Sequence, residues 1–391
     1  MPLSETLSSP YLCAPVGSWP RPPELVRAVR ERRRGRLDPD SFRRLADDAV
    51  RAAVAAQEAA GLDVITDGEQ RRDNFLAFVA EKLEGVTMMT VAELLPYLED
   101  KAAFEEVLGT LDVPAFSLTN PVAVGPVRRR QSLAGDEVEF LRHITDRPIK
   151  VALPGPYLLT RAMWVESLSQ PTYRDREALA EDVIRVLREE IAELQAKGVA
   201  IVQLDEPIFT EVVFTQRHAH RTFMCGALTQ RLEAEAELTW AVEVVNRTAA
   251  GLTGGASWLA VHICRGNWST REELLLRGDW SPLIPHLKRL EVDQLVLECA
   301  TDRAGSWEIL GQLPQRLGIG VVNPRTAAVE DPEAIANRVR ALTQFVPPER
   351  IALNPDCGFG TFAERPMNDL QVATAKLRAM TAARDRLAAG L

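Results

Sequence analysis

The stretch EALAEDVIRVLREEIAELQAKGVAIVQLDEP, residues 177–207, decides the fold class. From Glu177 to Lys197 the residues Ala180, Val183, Ile184, Leu187, Ile191 and Leu194 recur at helical spacing and form the apolar stripe of an amphipathic helix. Gly198 supplies the stop, and the run that follows is short and apolar, with its acids Asp205 and Glu206 at its C-terminal end. Residues 41–69 repeat the arrangement: an amphipathic segment from Ser41 to Ala60, a stop at Gly61, then LDVITDGE. Further strands are predicted at Cys13–Ser18, Asp63–Thr66, Phe116–Gly125, Ile149–Leu153, Ala200–Leu204, Leu259–Ile263, Gln294–Leu297, Gly318–Val322 and Ile351–Leu353. Pro121 interrupts the third of these, which therefore reads as an irregular or hairpin excursion. The others, alternating with helices and carrying polar residues at their C-terminal ends, predict an α/β fold, a (β/α)8 TIM-type barrel. One domain over 1–391 is expected, with a helical insertion near the barrel mouth at about 84–135. No Gly-rich loop follows the first strand, which argues against a dinucleotide-binding fold.

Three segments far apart in the chain, VHICRGN (261–267), LVLECA (295–300) and LNPDCGFG (353–360), each place metal-ligand types just after an apolar run. His262 and Cys264 are two apart, so on a strand both side chains leave the same face. A third ligand from Glu298 or Cys299 and a fourth from Cys357 would complete the tetrahedral nitrogen, oxygen and sulfur set that zinc takes. A single cysteine reads as a small buried hydrophobe. The metal reading rests on three successive strand ends carrying such residues. His218 and His220 read as loop residues and Cys225 as buried.

With 46 Lys and Arg against 55 Asp and Glu, the chain carries a formal charge of -9, so a general nucleic-acid surface is not expected. The basic run at 27–36 reads as a solvated helix end. Five cysteines without disulfide spacing, and a start lacking signal-peptide features, point to a reducing cytoplasm. No apolar run approaches the length of a membrane span.

Set in order, PVGSWPRP, DVITDGEQRRDN, LPGPYLLTRAMW, VQLDEPIFTE, VHICRGN, LECA, GVVNPRT and LNPDCGFGTF resemble the catalytic half of cobalamin-independent methionine synthase over nearly the whole length. That resemblance implies a zinc-dependent barrel that methylates the thiol of L-homocysteine, with the metal held by His262, Cys264, Glu298 and Cys357. Between Glu298 and its neighbour it selects the glutamate, and strand parity then turns Cys299 away. It also implies that Val16, Gly17 and Ser18 take the substrate carboxylate, that Glu69 and Asp205 take its ammonium, and that Trp164 and Glu211 lie near the methyl donor. Asp67 and Glu206 read as structural partners.

Two departures bear on the donor. Arg325 in GVVNPRTAAVE stands where the family has a histidine that protonates the leaving group, and arginine is a poor general acid. The family's folate-binding arginine has no counterpart near SLTNPVAVG. A tertiary amine such as N5 of methyltetrahydrofolate leaves badly unless protonated, whereas a corrinoid methyl needs no proton. Methylcobalamin or a methylated corrinoid protein is therefore the expected donor, with methyltetrahydrofolate as the other candidate. A different class, epoxyalkane:coenzyme M transferase, shares the barrel and zinc set, and there Arg325 would bind a sulfonate.

Overall fold

The computed structural model describes residues 3–72, 75–97, 119–214, 233–267, 275–360 and 367–390. Its main sheet is parallel: β4 (Lys150–Pro154), β5 (Ile201–Asp205), β6 (Trp258–Ile263), β7 (Gln294–Leu297), β8 (Arg316–Val322) and β9 (Ile351–Pro355) lie side by side in chain order. The two-residue strand β1 (Leu12–Cys13) then pairs with β9. The eighth position, predicted at Asp63–Thr66, is a single parallel bridge, Ile65 to Ile149. It still closes the ring, because Asp63 N–H donates to the Cys13 carbonyl at 3.0 Å and Lys150 N–H to the Ile65 carbonyl at 2.8 Å. The sheet is thus a curled α/β barrel with its helices outside.

Strand parity sorts the side chains into two sets. On β6, Leu259, Val261 and Ile263 belong to the large core beneath the helices; on β7, so do Leu295 and Leu297. Ala260 and Val296, of opposite parity, join Leu12, Val64 and Ala352 in a smaller cluster inside the ring. His262 and Glu298 continue this inner row towards the C-terminal ends of their strands.

The helix predicted from residue 177 runs over Arg176–Ala196, capped by the Asp175 carboxylate, which accepts from Ala178 N–H. Gly198 ends it at φ +72°. Its N–H reaches the Gln195 carbonyl at 2.8 Å and that of Val199 reaches Leu194 at 3.0 Å, the paired bonds of a Schellman motif.

At its two described ends the insertion is an antiparallel ribbon, β2 (Leu83–Thr90) against β3 (Thr119–Arg129), with short helical turns at Val91–Leu94 and Leu95–Tyr97 after β2. Residues 98–118 lie outside the described residues. Pro121 is accommodated because a two-stranded ribbon has no interior strand to starve of a donor. A bulge between Glu84 and Val86 lets the ribbon bend, and Gly85 is required there: at φ +75° its Cβ would meet the Pro126 carbonyl oxygen at 2.3 Å.

The returning end of the ribbon is tied down by Glu190. Its fully buried carboxylate accepts from Arg129 Nη1 at 2.7 Å and from the N–H groups of Leu133 and Ala134, both at 2.8 Å. Glu190→Ala leaves the Leu133 and Ala134 N–H groups buried without an acceptor, while Arg129 keeps Glu193. A loss of about 1–3 kcal/mol for each unsatisfied group is expected, read as a lower denaturation midpoint.

Candidate metal centre and substrate pocket

His262 and Cys264 extend from β6, and Cys357 follows β9. Their ligand atoms all lie within 4.8 Å of one another. His262 Nδ1 sits 3.0 Å from the Val296 carbonyl oxygen. A carbonyl can only accept, so Nδ1 carries the proton and Nε2 keeps a lone pair. That Nε2 is buried and has no hydrogen-bond partner. A backbone carbonyl fixing the tautomer of a ligating imidazole is the usual outer support of a metal-binding histidine. The Cys264 thiol is drawn down to about 5, first by the hydrogen bond with Cys357 and then by His262, against the opposing effect of burial. Cys357 is pushed up in turn. One nitrogen and two sulfurs, one sulfur already disposed to be a thiolate, fit zinc.

Glu298 does not join them. It stands on the inner row as parity requires, but Oε1 accepts from Arg303 at 2.6 Å and from Arg325 at 3.2 Å, while Oε2 accepts from Arg265 N–H at 2.8 Å. Three of the four expected ligands are thus brought together, and Glu298 stands close enough to act electrostatically on Cys264 and Cys357. Cys299 is fully buried in the outer core, its thiol pushed up by burial. Arg325, which stands where the family has its proton donor, has a fully buried side chain paired with Glu298 and 3.7 Å from Asp356.

Asp205 is the direct neighbour of His262 in the β5–β6 register, so the acid and the metal ligands share one barrel mouth. Burial raises Asp205 to about 6, and Gln203 Nε2 holds its Oδ1 at 2.7 Å. Glu69 is raised to about 7, by burial first and then by Asp205 and Asp67 against the lowering influence of Arg72. Two buried carboxylates close enough to feel each other call for a cation. Glu69 has a left-handed backbone at φ +55°, unusual outside glycine. Asp67 holds it there by accepting Glu69 N–H at 2.9 Å, and Arg21 donates to its carbonyl at 2.7 Å. The carboxylate presses so close to Gly17 that a Cβ at that position would lie 2.3 Å from Oε1.

The N–H groups of Val16, Gly17 and Ser18 donate to no partner among the described residues. Free amide donors of this kind suit an anion. The Ser18 hydroxyl accepts from Gly360 N–H at 3.2 Å and retains its own proton to donate. Glu206 is structural as expected, accepting from Tyr157 and Leu158 N–H at 2.8 and 3.0 Å and so capping the helix Pro156–Met163. Trp164, at the end of that helix, is half-buried against the main core. Glu211 is buried on the helix Ile208–Phe214, within electrostatic reach of Arg161. His218, His220 and Cys225 lie outside the described residues.

Several supporting residues carry no local signal. Arg72 pairs with Glu137 at 2.6 Å and comes within 4.0 Å of Glu69. Lys150, buried under Asp205 and lowered by desolvation to about 7, donates to the Pro15 carbonyl at 2.8 Å. Asn267 Nδ2 reaches the Gly358 carbonyl at 2.8 Å and links the β6 and β9 loops. Gln203 alone was open to inference, since it shares the parity of Asp205.

The family model described as the catalytic domain of cobalamin-independent synthase matches residues 11–385. The chain belongs to the cobalamin-independent methionine synthase family. It is a methyltransferase of the methionine-forming type. A methionine synthase of Sulfurisphaera tokodaii is 28% identical over 344 residues, 88% of this chain and 84% of that protein. The methionine synthase of Saccharolobus solfataricus is 28% identical over 347 residues, 88% and 86% of the two chains. Among solved structures, a B12-independent methionine synthase from Shewanella sp. W3-18-1 in complex with selenomethionine superposes with a TM-score of 0.71 at 24% identity, covering 98% of this chain and 99% of that one. At that identity the likeness supports the barrel fold. Among the described residues no helix is long and apolar enough to cross a membrane.

Proposed function

We propose that the chain methylates the thiol of L-homocysteine with the help of a zinc ion held by His262, Cys264 and Cys357, with Glu298 as the fourth ligand, taking the methyl group from methylcobalamin or a methylated corrinoid protein. The observation that carries this reading is the register of Asp205 beside His262, with Glu69 near by. A molecule with an ammonium at one end and a thiol a few bonds away spans that interval, whereas a sulfonate thiol has no cation for the two carboxylates.

Zinc bound there would act as a Lewis acid that lowers the pKa of the substrate thiol and makes the sulfur nucleophilic near neutral pH. The chain's own residues do the rest. His262 is locked in its ligating tautomer by Val296. The amides of residues 16–18 with the Ser18 hydroxyl take the substrate carboxylate, and Glu69 with Asp205 its ammonium, so the sulfur is presented in one orientation. A sulfur lone pair forms the new C–S bond while the electrons of the carbon–cobalt bond leave with cobalt, and the thiol proton passes to solvent. Trp164 and Glu211 are assigned to the donor side by the family resemblance. The donor preference rests on Arg325, whose guanidinium is committed to Glu298 and cannot protonate a departing amine.

Offering homocysteine with methylcobalamin, and separately with mono- and polyglutamylated methyltetrahydrofolate, and following methionine tests the donor. Faster turnover with methylcobalamin is expected. Methionine from the folate alone would return the chain to the folate-dependent reading.

A further inference from the structure

Consecutive peptides run from Pro15 to Ser18, and each has its carbonyl taken by a side chain of the barrel wall. Lys150 Nζ donates to the Pro15 oxygen at 2.8 Å, Gln203 Nε2 to that of Val16 at 3.2 Å and Thr66 Oγ1 to that of Gly17 at 2.8 Å. Lys150, Gln203 and Thr66 are all buried. In a trans peptide the C=O of one residue and the N–H of the next point in opposite directions, and among the described residues no peptide is cis. Holding these carbonyls therefore fixes the N–H groups of Val16, Gly17 and Ser18, the same groups that donate to no partner among the described residues. Held carbonyls and free amides match peptide for peptide.

Lys150 is a costly way to hold one carbonyl. In register with Ile201, which packs inside the ring, it carries an amine into the barrel with no carboxylate at ion-pair distance among the described residues. Gln203 has a second partner, because the same Nε2 donates to Asp205 Oδ1 at 2.7 Å. Lying between a carbonyl and a carboxylate, both acceptors, it must be the nitrogen of the amide that faces them. We propose that Lys150, Gln203 and Thr66 are positioning residues for homocysteine, holding the carbonyl edges of three peptides so that the opposite N–H edges are presented to the substrate carboxylate. Gln203 also ties that loop to Asp205, so one side chain sets the spacing between the subsites for the carboxylate and the ammonium. This rests on the substrate reading given under the proposed function.

Calorimetric titration of the zinc-loaded protein, with no methyl donor present, tests this without turnover. The ligands are homocysteine, γ-mercaptobutyrate, which lacks the ammonium, homocysteamine, which lacks the carboxylate, and propanethiol, which lacks both. In Lys150→Met and Thr66→Val the dissociation constants of homocysteine and γ-mercaptobutyrate are expected to rise about tenfold or more, while that of homocysteamine stays unchanged. Gln203→Met is expected to weaken both analogues, since it loosens the loop and Asp205 together. Equal weakening of both analogues in Lys150→Met and Thr66→Val would overturn the proposal, because it marks a general loss of packing. Unchanged homocysteine binding in those variants would overturn it too, and either variant decides the matter should the other fail to fold. Weakening of one analogue alone in Gln203→Met would overturn the shared role of that residue. If the unmutated protein binds homocysteine and both analogues no more tightly than propanethiol, the substrate pocket itself is removed, and the proposal with it.

Discussion

Cys264→Ser and Cys357→Ser are each expected to lose metal and methyl transfer together. A serine hydroxyl stays protonated at neutral pH and is a far weaker ligand than thiolate, and each cysteine is one of the three ligand atoms brought together among the described residues, so removing one leaves an incomplete site. The loss of metal affinity should exceed the about 10–100-fold that follows removal of an outer-shell partner. Zinc content after desalting, and competition with a chromophoric chelator, measure it. Cys299→Ser provides the control: that thiol is in the outer core, so metal content should be unchanged. Full zinc occupancy in both Cys264→Ser and Cys357→Ser would remove this centre from consideration.

Asp205→Asn is expected to weaken homocysteine use by about 2–5 kcal/mol, tens- to thousands-fold in kcat/KM, because a desolvated ammonium would lose one of its two counter-charges. Zinc content should not change. The same pocket predicts a pH dependence. Glu69 is raised to about 7, so in the free protein it is ionised above that pH and increasingly neutral below it. Only the ionised form attracts an ammonium. KM for homocysteine should therefore rise as pH falls from 8 through about 7 towards 6, and Glu69→Gln should flatten the part centred near 7, leaving what Asp205 contributes near 6. Equal use by the unmutated protein of thiols with and without an amino group would count against the clamp.

The barrel was legible before any coordinates because its evidence is local and periodic. A stripe from Ala180 to Leu194, a glycine stop and a short apolar run specify one helix and one strand, and repeating that unit leaves few architectures. The insertion was harder: residues 84–90 alternate too weakly to separate ribbon from helix, and the partner that decides, β3, arrives some thirty residues later. The stave at 63–66 shrank to a bridge for a related reason, since the closing hydrogen bonds come from Cys13 and Lys150 and not from its own sequence.

At the site the division follows the range of the interactions. His262 and Cys264 share a face by the two-residue repeat of a strand, and the same rule sends Glu298 inward and Cys299 outward. Cys357, Glu69 and Asp205 could be placed at strand ends because each follows its own apolar run. Nothing local announces that the main-chain N–H of Arg265 and the guanidinium groups of Arg303 and Arg325, from three separate loops, converge on the Glu298 carboxylate. Which face each ligand type takes could be read before any coordinates, because backbone geometry dictates parity one residue at a time. The ion pairs around those groups emerge only in the folded chain, because charge pairing in a buried site depends on every loop that reaches it.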